Sequence, residues 1–197
     1  MPRIYILYLF FTASCSCISG QTFRAALIAG VNASQINGDL IAGFDKLGIQ
    51  GGLKVVGDIR ERLEASVELL YSERGSRASG RFVDPFSIRI NYVEIPLTLA
   101  YKDWIREDHY RMRFEGGLSI GRLLKAEQED VTGTRELDEF KDTDISWLVG
   151  ATFFSNEQLA FSGRYTQSLN FLLSQNLPTG FTRMRGFFLT FRIMYFL

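Results

Sequence analysis

The sequence predicts an all-β fold, an eight-stranded antiparallel up-and-down transmembrane β-barrel preceded by a cleavable signal peptide. Three observations support this fold class. Apolar and polar residues alternate with a period of two in eight segments, which is the pattern of strands with one apolar face. Charged residues collect on the second face of these segments. The connections between segments are alternately short and long, which is typical of closed barrels in outer membranes.

The composition agrees with this prediction. The 197 residues include 22 Lys and Arg and 22 Asp and Glu, so the formal net charge is zero. This balance excludes a charge-driven disordered chain and a polybasic nucleic-acid binder, and we expect no nucleic acid among the partners. The 17 Phe and 18 Gly, with only 4 Pro, favour β-structure. No apolar run reaches the 18 or so residues that a membrane-spanning helix requires.

Residues 1–20 have the features of a secretory signal peptide. A basic residue precedes the apolar run 4–11, and small residues follow it up to the expected cleavage site before Gln21. We therefore expect export, with residues 21–197 forming an outer-membrane β-barrel domain that is integral to the cell outer membrane. Outer-membrane lipid is then the first expected partner.

Both cysteines, Cys15 and Cys17, lie inside this leader. The mature chain therefore has no disulfide, and a cysteine nucleophile or cysteine-based metal site is excluded. A lipidated N-terminal cysteine is a minor alternative, because the residues before Cys15 lack the leucine that begins a lipobox.

The alternation assigns an outward face to each predicted strand. In the clearest segment, Leu63–Tyr71, the odd positions are apolar while Glu64, Ser66 and Glu68 share the other face. The other segments follow the same rule. The residues predicted to face outward are Ala25, Leu27, Ala29, Val31, Leu47, Ile49, Leu53, Val55, Val93, Ile95, Leu97, Leu99, Tyr101, Phe114, Leu118, Ile120, Ile145, Trp147, Val149, Ala151, Phe153, Leu159, Phe161, Tyr165, Leu169, Phe187, Leu189, Phe191, Ile193 and Tyr195.

The connections divide into two classes by length. Short turns on the periplasmic side and long loops on the extracellular side are the outer-membrane arrangement. The predicted short links are Asp58–Arg62, Lys102–Tyr110 and Ser155–Gln158, and the predicted long loops are Ile36–Lys46, Glu73–Ser87, Lys125–Asp144 and Asn170–Thr182.

The polar face predicts a charge network inside the barrel. Four acidic and five basic residues share it, and a set so nearly balanced can pair in a lumen, where burial requires partners for charge. The interior of an eight-stranded barrel is just wide enough for side chains to fill, so we expect a plugged lumen. A soluble lipocalin-like ligand-binding barrel is the alternative, and it requires the opposite distribution. The predicted network is Lys54, Glu64, Glu68, Glu94, Arg111, Arg113, Glu115, Arg164 and Arg192.

The sequence predicts no catalytic residue, no metal site and no cofactor, and therefore a non-enzymatic protein. Glu64 and Glu68 lie about 13 Å apart along one strand, too far for a concerted acid–base pair. The lone histidine, His109, falls in a predicted short turn without a nucleophile beside it. The alternative is a lipid-active outer-membrane barrel enzyme, for which Asp84, Asp130 and His109 are the residues to substitute.

Two long loops carry clustered charge. The loop Lys125–Asp144 is acidic but lacks the glycine-centred register of an EF-hand, so a solvated loop is favoured. The loop Glu73–Ser87 carries Arg74, Arg77 and Arg81, which suit anionic headgroups or sugar phosphates at the outer surface, but a solvated loop is again favoured.

Four segments of the chain resemble one family. The strand Tyr92-Val-Glu94-Ile-Pro96-Leu is similar to the Tyr-x-Glu-Ile-Pro-Leu strand of the PorT-like outer-membrane β-barrel family of Bacteroidota. The segments 30–34, 116–121 and 164–169 agree with its first, fifth and seventh strands, with Arg164 and Tyr165 beginning the last of these. The resemblance implies an eight-stranded outer-membrane barrel. It implies no activity, although the member that named the family is associated with a secretion system, so a secretion or envelope complex is a further expected partner.

The last strand carries a predicted assembly signal. Gly186, Leu189 and Phe191 resemble the pattern that the barrel-assembly machinery recognises during insertion, which makes that machinery an expected partner. Within the fourth strand, Pro96 removes a ladder donor, so we predict a β-bulge there.

Overall fold

The computed structural model describes residues 23–37, 46–80, 83–106, 109–130, 133–136, 141–170, 173–177 and 180–197. The predicted signal peptide, with both cysteines, lies outside the described residues. Among the described residues, no helix is long and apolar enough to cross a membrane. The regular elements are the strands β1 Phe23–Asn37, β2 Lys46–Arg60, β3 Leu63–Gly80, β4 Val83–Arg106, β5 His109–Asp130, β6 Gly133–Glu136, β7 Thr143–Phe154, β8 Leu159–Ser168, β9 Leu173–Leu177 and β10 Gly180–Phe196.

Eight of these strands close into a barrel. Their order is β1-β2-β3-β4-β5-β7-β8-β10, every neighbouring pair is antiparallel, and β10 pairs back onto β1. The closing ladder runs from Ala26 opposite Phe196 to Asn37 opposite Arg185. The two short strands β6 and β9 extend the hairpins of β5 and β10. The predicted eight-stranded up-and-down antiparallel barrel is thereby confirmed.

The predicted outward face is also confirmed. Every residue assigned to it is exposed or half-buried, while the alternate positions of the same strands are mostly buried. Large apolar side chains such as Leu97, Leu118 and Ile193 are more than half exposed. Such a wall is stable only in contact with hydrocarbon, so the soluble ligand-binding barrel is wrong.

The inner face is polar along most of its length but has an apolar layer as well. Its members include Ala26, Ile28, Val56, Leu70, Phe154, Ala160, Met194 and Phe196. Most of them lie toward the end of the barrel that holds Phe23, Leu197 and the turns 61–62 and 155–158. In the usual arrangement of outer-membrane barrels this is the periplasmic end. No apolar residue was predicted to face the lumen, so this layer was not predicted from the sequence.

The strands are longer than predicted, at the expense of the predicted loops. Most of the segment Glu73–Ser87 is a hairpin, because β3 continues to Gly80 and β4 begins at Val83. The acidic segment likewise contains the end of β5 and all of β6. The segment Asn170–Thr182 contains β9, and at the other end of the barrel the β4–β5 ladder extends to Arg106 opposite His109.

The β-bulge is not at Pro96. The register between β3 and β4 is the same on both sides of this residue, since Val67 pairs with Leu97 and Leu70 with Glu94. The irregularity lies between β4 and β5, where the register shifts at Asn91 and Tyr92. The prediction was wrong because the missing backbone donor of Pro96 does not shift the register of its own strand, in which Tyr92, Glu94 and Thr98 all face the lumen.

Candidate functional site

The middle of the lumen is filled by five charged side chains, which we name the central cluster: Lys54, Glu68, Glu115, Arg164 and Arg192. They come from five different strands and all are buried. The strand alternation directs each of them inward, and the closure of the barrel brings residues together that are up to 138 positions apart. The cluster therefore exists only once the barrel has closed.

Glu68 is held by three cations. Arg164 binds it in a two-pronged geometry, with Nη1 donating to Oε2 at 2.9 Å and Nη2 to Oε1 at 2.8 Å. Lys54 Nζ lies 3.0 Å from Oε1, and Arg192 Nη1 donates to Oε2 at 3.0 Å. Both carboxylate oxygens are thus fully engaged, which offsets the cost of burying the charge.

Glu115 binds the same three cations. Arg164 Nη2 donates to Oε1 at 2.7 Å, Arg192 Nη2 to the same oxygen at 2.9 Å, and Lys54 Nζ to Oε2 at 3.0 Å. Three positive charges therefore share two negative charges. Each of the four carboxylate oxygens has at least one cation within hydrogen-bond distance.

A second group of charges surrounds Glu64 toward the turn end and forms what we name the mouth cluster: Arg24, Asp58, Glu64, Lys102 and Arg113. Arg24 hydrogen-bonds Glu64, and Arg113 Nη1 lies 3.2 Å from its Oε2. Lys102 donates to Asp58 at 2.6 Å. The Arg113 guanidinium also stacks on the Phe154 ring at 3.9 Å, which ties this cluster to the apolar layer.

The third group, the upper cluster, lies toward the long connections and consists of Arg74, Tyr92, Glu94, Asp144 and Phe188. Arg74 Nη2 lies 2.7 Å from Glu94 Oε1, and Nη1 donates to Asp144 Oδ2 at 2.7 Å. The guanidinium sits 4.0 Å from the Phe188 ring centroid and 5.0 Å from that of Tyr92. Here one cation faces two carboxylates. Within the described residues, the Tyr92 hydroxyl and Asp144 Oδ1 have no hydrogen-bond partner.

The structure places eight of the nine predicted network residues in these three clusters, all buried and ion-paired. The ninth, Arg111, is only half-buried, because it lies near the turn end of β5. Among the residues of the family motif, Tyr92 and Glu94 belong to the upper cluster and Arg164 to the central cluster. Pro96 is buried between them, and Tyr165 faces outward and packs against Trp147 at 5.5 Å between ring centroids.

Two members of the upper cluster were assigned to loops from the sequence and were therefore not predicted to lie in the lumen. Arg74 is a buried residue of β3, and Asp144 is a buried residue of β7. The interpretation of Arg74 as a residue of a solvated loop, or of a loop that binds headgroups, was therefore wrong. The signal was present: Arg74 continues the inward alternation of Glu68, Leu70 and Ser72 on β3. The Arg77 and Arg81 side chains lie outside the described residues.

Little free space interrupts the charged filling. The cavity between the central and mouth clusters has a volume of about 10 Å³, which is barely room for one water molecule. A wider pocket of about 430 Å³ opens at the turn end, beside Lys102 and Arg113. In the described part of the chain, no group of three or more His, Cys, Asp or Glu side chains could hold a metal ion.

The residues weighed for catalysis do not converge. Glu64 and Glu68 bind different cations in different clusters, and therefore form no acid–base pair. His109 begins β5 instead of lying in a turn, but its side chain, with those of Asp84 and Asp130, lies outside the described residues. Gly186, Leu189 and Phe191 lie on β10 in the closing ladder with β1, and their role as an assembly signal stays a prediction.

Comparison with known proteins gives the family. The model of the Outer membrane protein beta-barrel domain matches residues 19–174, so the chain belongs to this family. No curated protein matches the sequence significantly.

Several solved outer-membrane proteins have a similar arrangement of strands. The attachment invasion locus protein Ail of Yersinia pestis, in complex with the heparin analogue sucrose octasulfate, is 15% identical, with a TM-score of 0.45 over 88% of this chain and 99% of Ail. Neisserial surface protein A is 12% identical, with a TM-score of 0.47 over 90% and 99% of the two chains. OprG of Pseudomonas aeruginosa is 13% identical, with a TM-score of 0.43 over 90% and 96%.

Proposed function

We propose that this outer-membrane barrel is a non-enzymatic, non-conducting protein of the PorT-like type, as found in Bacteroidota. In this proposal it acts in surface or envelope interaction, or as part of a secretion or assembly complex. The observation that carries the proposal is the central cluster, because it closes the lumen at mid-height. A closed barrel in the outer membrane acts through the surfaces that it presents at its two ends.

Closure follows from the way the central cluster is built. Arg164 and Arg192 project from adjacent inward positions of β8 and β10, and Glu68 and Glu115 reach them from the other side of the barrel. Each side chain is held by at least two ion pairs at 3.0 Å or less. Opening a path would leave buried charges without partners, which costs about 3–5 kcal/mol for each broken pair.

The strands of the barrel differ in length, and the longest of them provide a surface for a partner. Strands β3, β4 and β5 have 18, 24 and 22 residues, whereas β7 and β8 have 12 and 10. About 9–11 residues suffice to cross the membrane, so the long strands extend well beyond it. Ile88 pairs with both Ser76 and Gln128, and Gln128 pairs with Arg135, so the extension is a four-stranded sheet of β3, β4, β5 and β6. We name it the projecting sheet.

The non-enzymatic part of the proposal is supported by the engagement of the lumen acids. Glu68 and Glu115 each accept hydrogen bonds from arginine side chains, so neither is available to accept a proton from a substrate. The proposed function includes no lipid-modifying activity at the rim of the barrel. Deletion of the protein should therefore leave the lipid composition of the envelope unchanged.

Conductance in planar lipid bilayers tests the closed lumen. We expect no steady conductance from the purified mature chain, and single-channel steps from the double variant Arg164→Ser, Arg192→Ser, which removes two of the three cations. The matched control is Arg89→Ser, on the projecting sheet, where the side chain is about half exposed. Steady conductance of the unmodified protein would overturn the proposal.

Photocrosslinking in the native envelope tests the partner surface. A photoreactive residue at Arg89 should yield a discrete protein adduct, whereas the same residue at Leu97, on the lipid-facing wall of the same strand, should yield none. An adduct at both positions, or at neither, would contradict partner binding by the projecting sheet.

A further inference from the structure

A groove of about 640 Å³ hollows the outer wall of the barrel. We name it the outer groove. It crosses the strands β1, β10, β8 and β7 as far as Met112 of β5, on the side that faces the bilayer. Its volume is in the range of about 300–1,000 Å³ typical of small-molecule sites. Its principal residues are Ala29, Ala151, Phe153, Phe161, Gly163 and Phe191.

The register of the strands explains the hollow. Gly163 lies directly between Phe191 on one side and Ala151 on the other, so small residues form the floor beside an aromatic wall. One row closer to the short turns, Phe161 and Phe153 face each other and form a second wall. On the rest of the outer face, the outward positions are occupied mainly by Leu, Ile, Val, Phe and Tyr.

Gly163 is not required by the fold of the barrel itself. A Cβ atom at this position would meet no described atom within 4 Å, and its backbone does not have a positive φ. By contrast, a Cβ at Gly52 or Gly117 would meet a backbone carbonyl oxygen at 2.0 Å. Packing therefore accounts for Gly52 and Gly117, whereas Gly163 leaves open space on the side that faces the membrane.

The depth of the outer groove determines what can enter it. Gly163 is the fifth residue of the ten-residue strand β8, which places the floor near the middle of the wall, and the groove extends from there toward the short turns. Only hydrocarbon is available at that depth, because headgroups and water stay at the membrane surface. The aromatic walls offer apolar contact along the groove and no exposed charge.

We propose that the outer groove is a specific binding site for one acyl chain of a membrane phospholipid. The lipid belongs to the leaflet on the short-turn side, and its chain lies over Gly163 and Ala151 between Phe191 and the Phe153–Phe161 pair. A seated chain restores the apolar contact that the missing side chain at position 163 leaves unfilled. This proposal does not depend on the closed lumen or on the projecting sheet.

Native mass spectrometry of the folded mature chain, with palmitoyl-oleoyl phosphatidylethanolamine as the probe, tests this proposal. We expect one lipid per barrel to remain bound at collision energies that remove all others. Gly163→Leu should weaken this binding at least tenfold, because the added side chain occupies the floor. Gly116→Leu is the matched control: Gly116 is half-buried on β5, outside the groove, and a Cβ there would meet only the Leu148 carbonyl oxygen at 3.8 Å.

Ala151→Leu also fills the floor of the groove, and it replaces Gly163→Leu in the test if that variant does not fold. Heat-modifiable migration in gels identifies the samples that are folded. Equal lipid retention by the filled variants and by Gly116→Leu would overturn the proposal. A dimer of the unmodified protein that dissociates in the filled variants would also overturn the proposal, because the occupant of the groove would then be a second copy of the chain. Conductance should be unaffected by Gly163→Leu, which separates this outcome from failure of the closed-lumen proposal.

Discussion

The central and upper clusters are both buried in the same lumen, but their charge ratios are opposite. In the central cluster, Lys54, Arg164 and Arg192 share two carboxylates, and every carboxylate oxygen is engaged. In the upper cluster, Arg74 is the one cation among the described residues that pairs with Glu94 and Asp144. Burial penalises whatever charge is left without a partner, so the effect of a substitution depends on which sign is already in excess.

The largest effect is expected for Glu68→Gln in the central cluster. This change leaves three buried cations with one carboxylate, Glu115, and arginine cannot relieve the imbalance by losing its proton. We expect the free energy of unfolding to fall by about 3–5 kcal/mol. The measurement is urea unfolding of the barrel in lipid vesicles.

The matched control for this change is Glu127→Gln, at the exposed end of β5, which should not move the urea midpoint. If Glu68→Gln and Glu127→Gln unfold at the same urea concentration, the balance of charge in the central cluster does not contribute to the stability of the barrel. The comparison of the two clusters would then lose its physical basis.

Arg74→Met is expected to have the second-largest effect. It leaves Glu94 and Asp144 without a cation and removes the stacking on Phe188. We expect a loss of about 2–4 kcal/mol, somewhat below that of Glu68→Gln, because carboxylates can take up protons when they lose their partner. The same urea titration measures it, with Arg89→Met as the exposed control, whose ion pair with Glu73 should contribute under about 1 kcal/mol. Equal losses in both variants would show that burial does not matter at Arg74.

The strand alternation was sufficient to predict the barrel and most of its lumen charges. It works because inward and outward positions differ in every strand, so Glu68 and Arg164 could be assigned to the lumen one residue at a time. The pairing of those two side chains could not be predicted, because they are 96 positions apart and meet only through closure of the barrel. Parity gives the face of a residue but not its neighbours across the lumen.

The errors have a common cause in the ends of the strands. Arg74 and Asp144 were assigned to loops because polar residues on both faces hide the alternation where a strand leaves the membrane. The apolar layer was missed for the converse reason. Phe154 and Phe196 are adjacent to outward aromatic residues, so each stands in an apolar run without a visible period of two.

Glu94→Gln tests the role of the charge ratio most directly, because it makes the same chemical change as Glu68→Gln in the cluster where carboxylates outnumber cations. It leaves Arg74 paired one-to-one with Asp144, which balances the charge. We therefore expect a loss of under about 1 kcal/mol, within the range of an ordinary substitution. A loss as large as that of Glu68→Gln would show that the number of contacts, and not the charge ratio, governs both clusters.

The smallest effect on the free energy of unfolding is expected for an ion pair outside the membrane, because water solvates the charge that loses its partner. On the projecting sheet, the hydrogen bond from Lys125, whose Nζ lies 2.7 Å from Glu127 Oε1, lowers the pKa of the Glu127 carboxyl below its ordinary value of 4.5. Because the folded pKa is the lower one, any stabilisation from this pair is present above the ordinary pKa and is lost as the pH falls through the folded pKa. Lys125→Met should return the Glu127 pKa toward 4.5 in a carbon-detected NMR titration, without a detectable change in the urea midpoint at pH 7. A shift of that midpoint comparable to the one from Arg74→Met would mean that the projecting sheet is as sensitive to unpaired charge as the lumen, and the contrast between buried and exposed charge would not hold in this barrel.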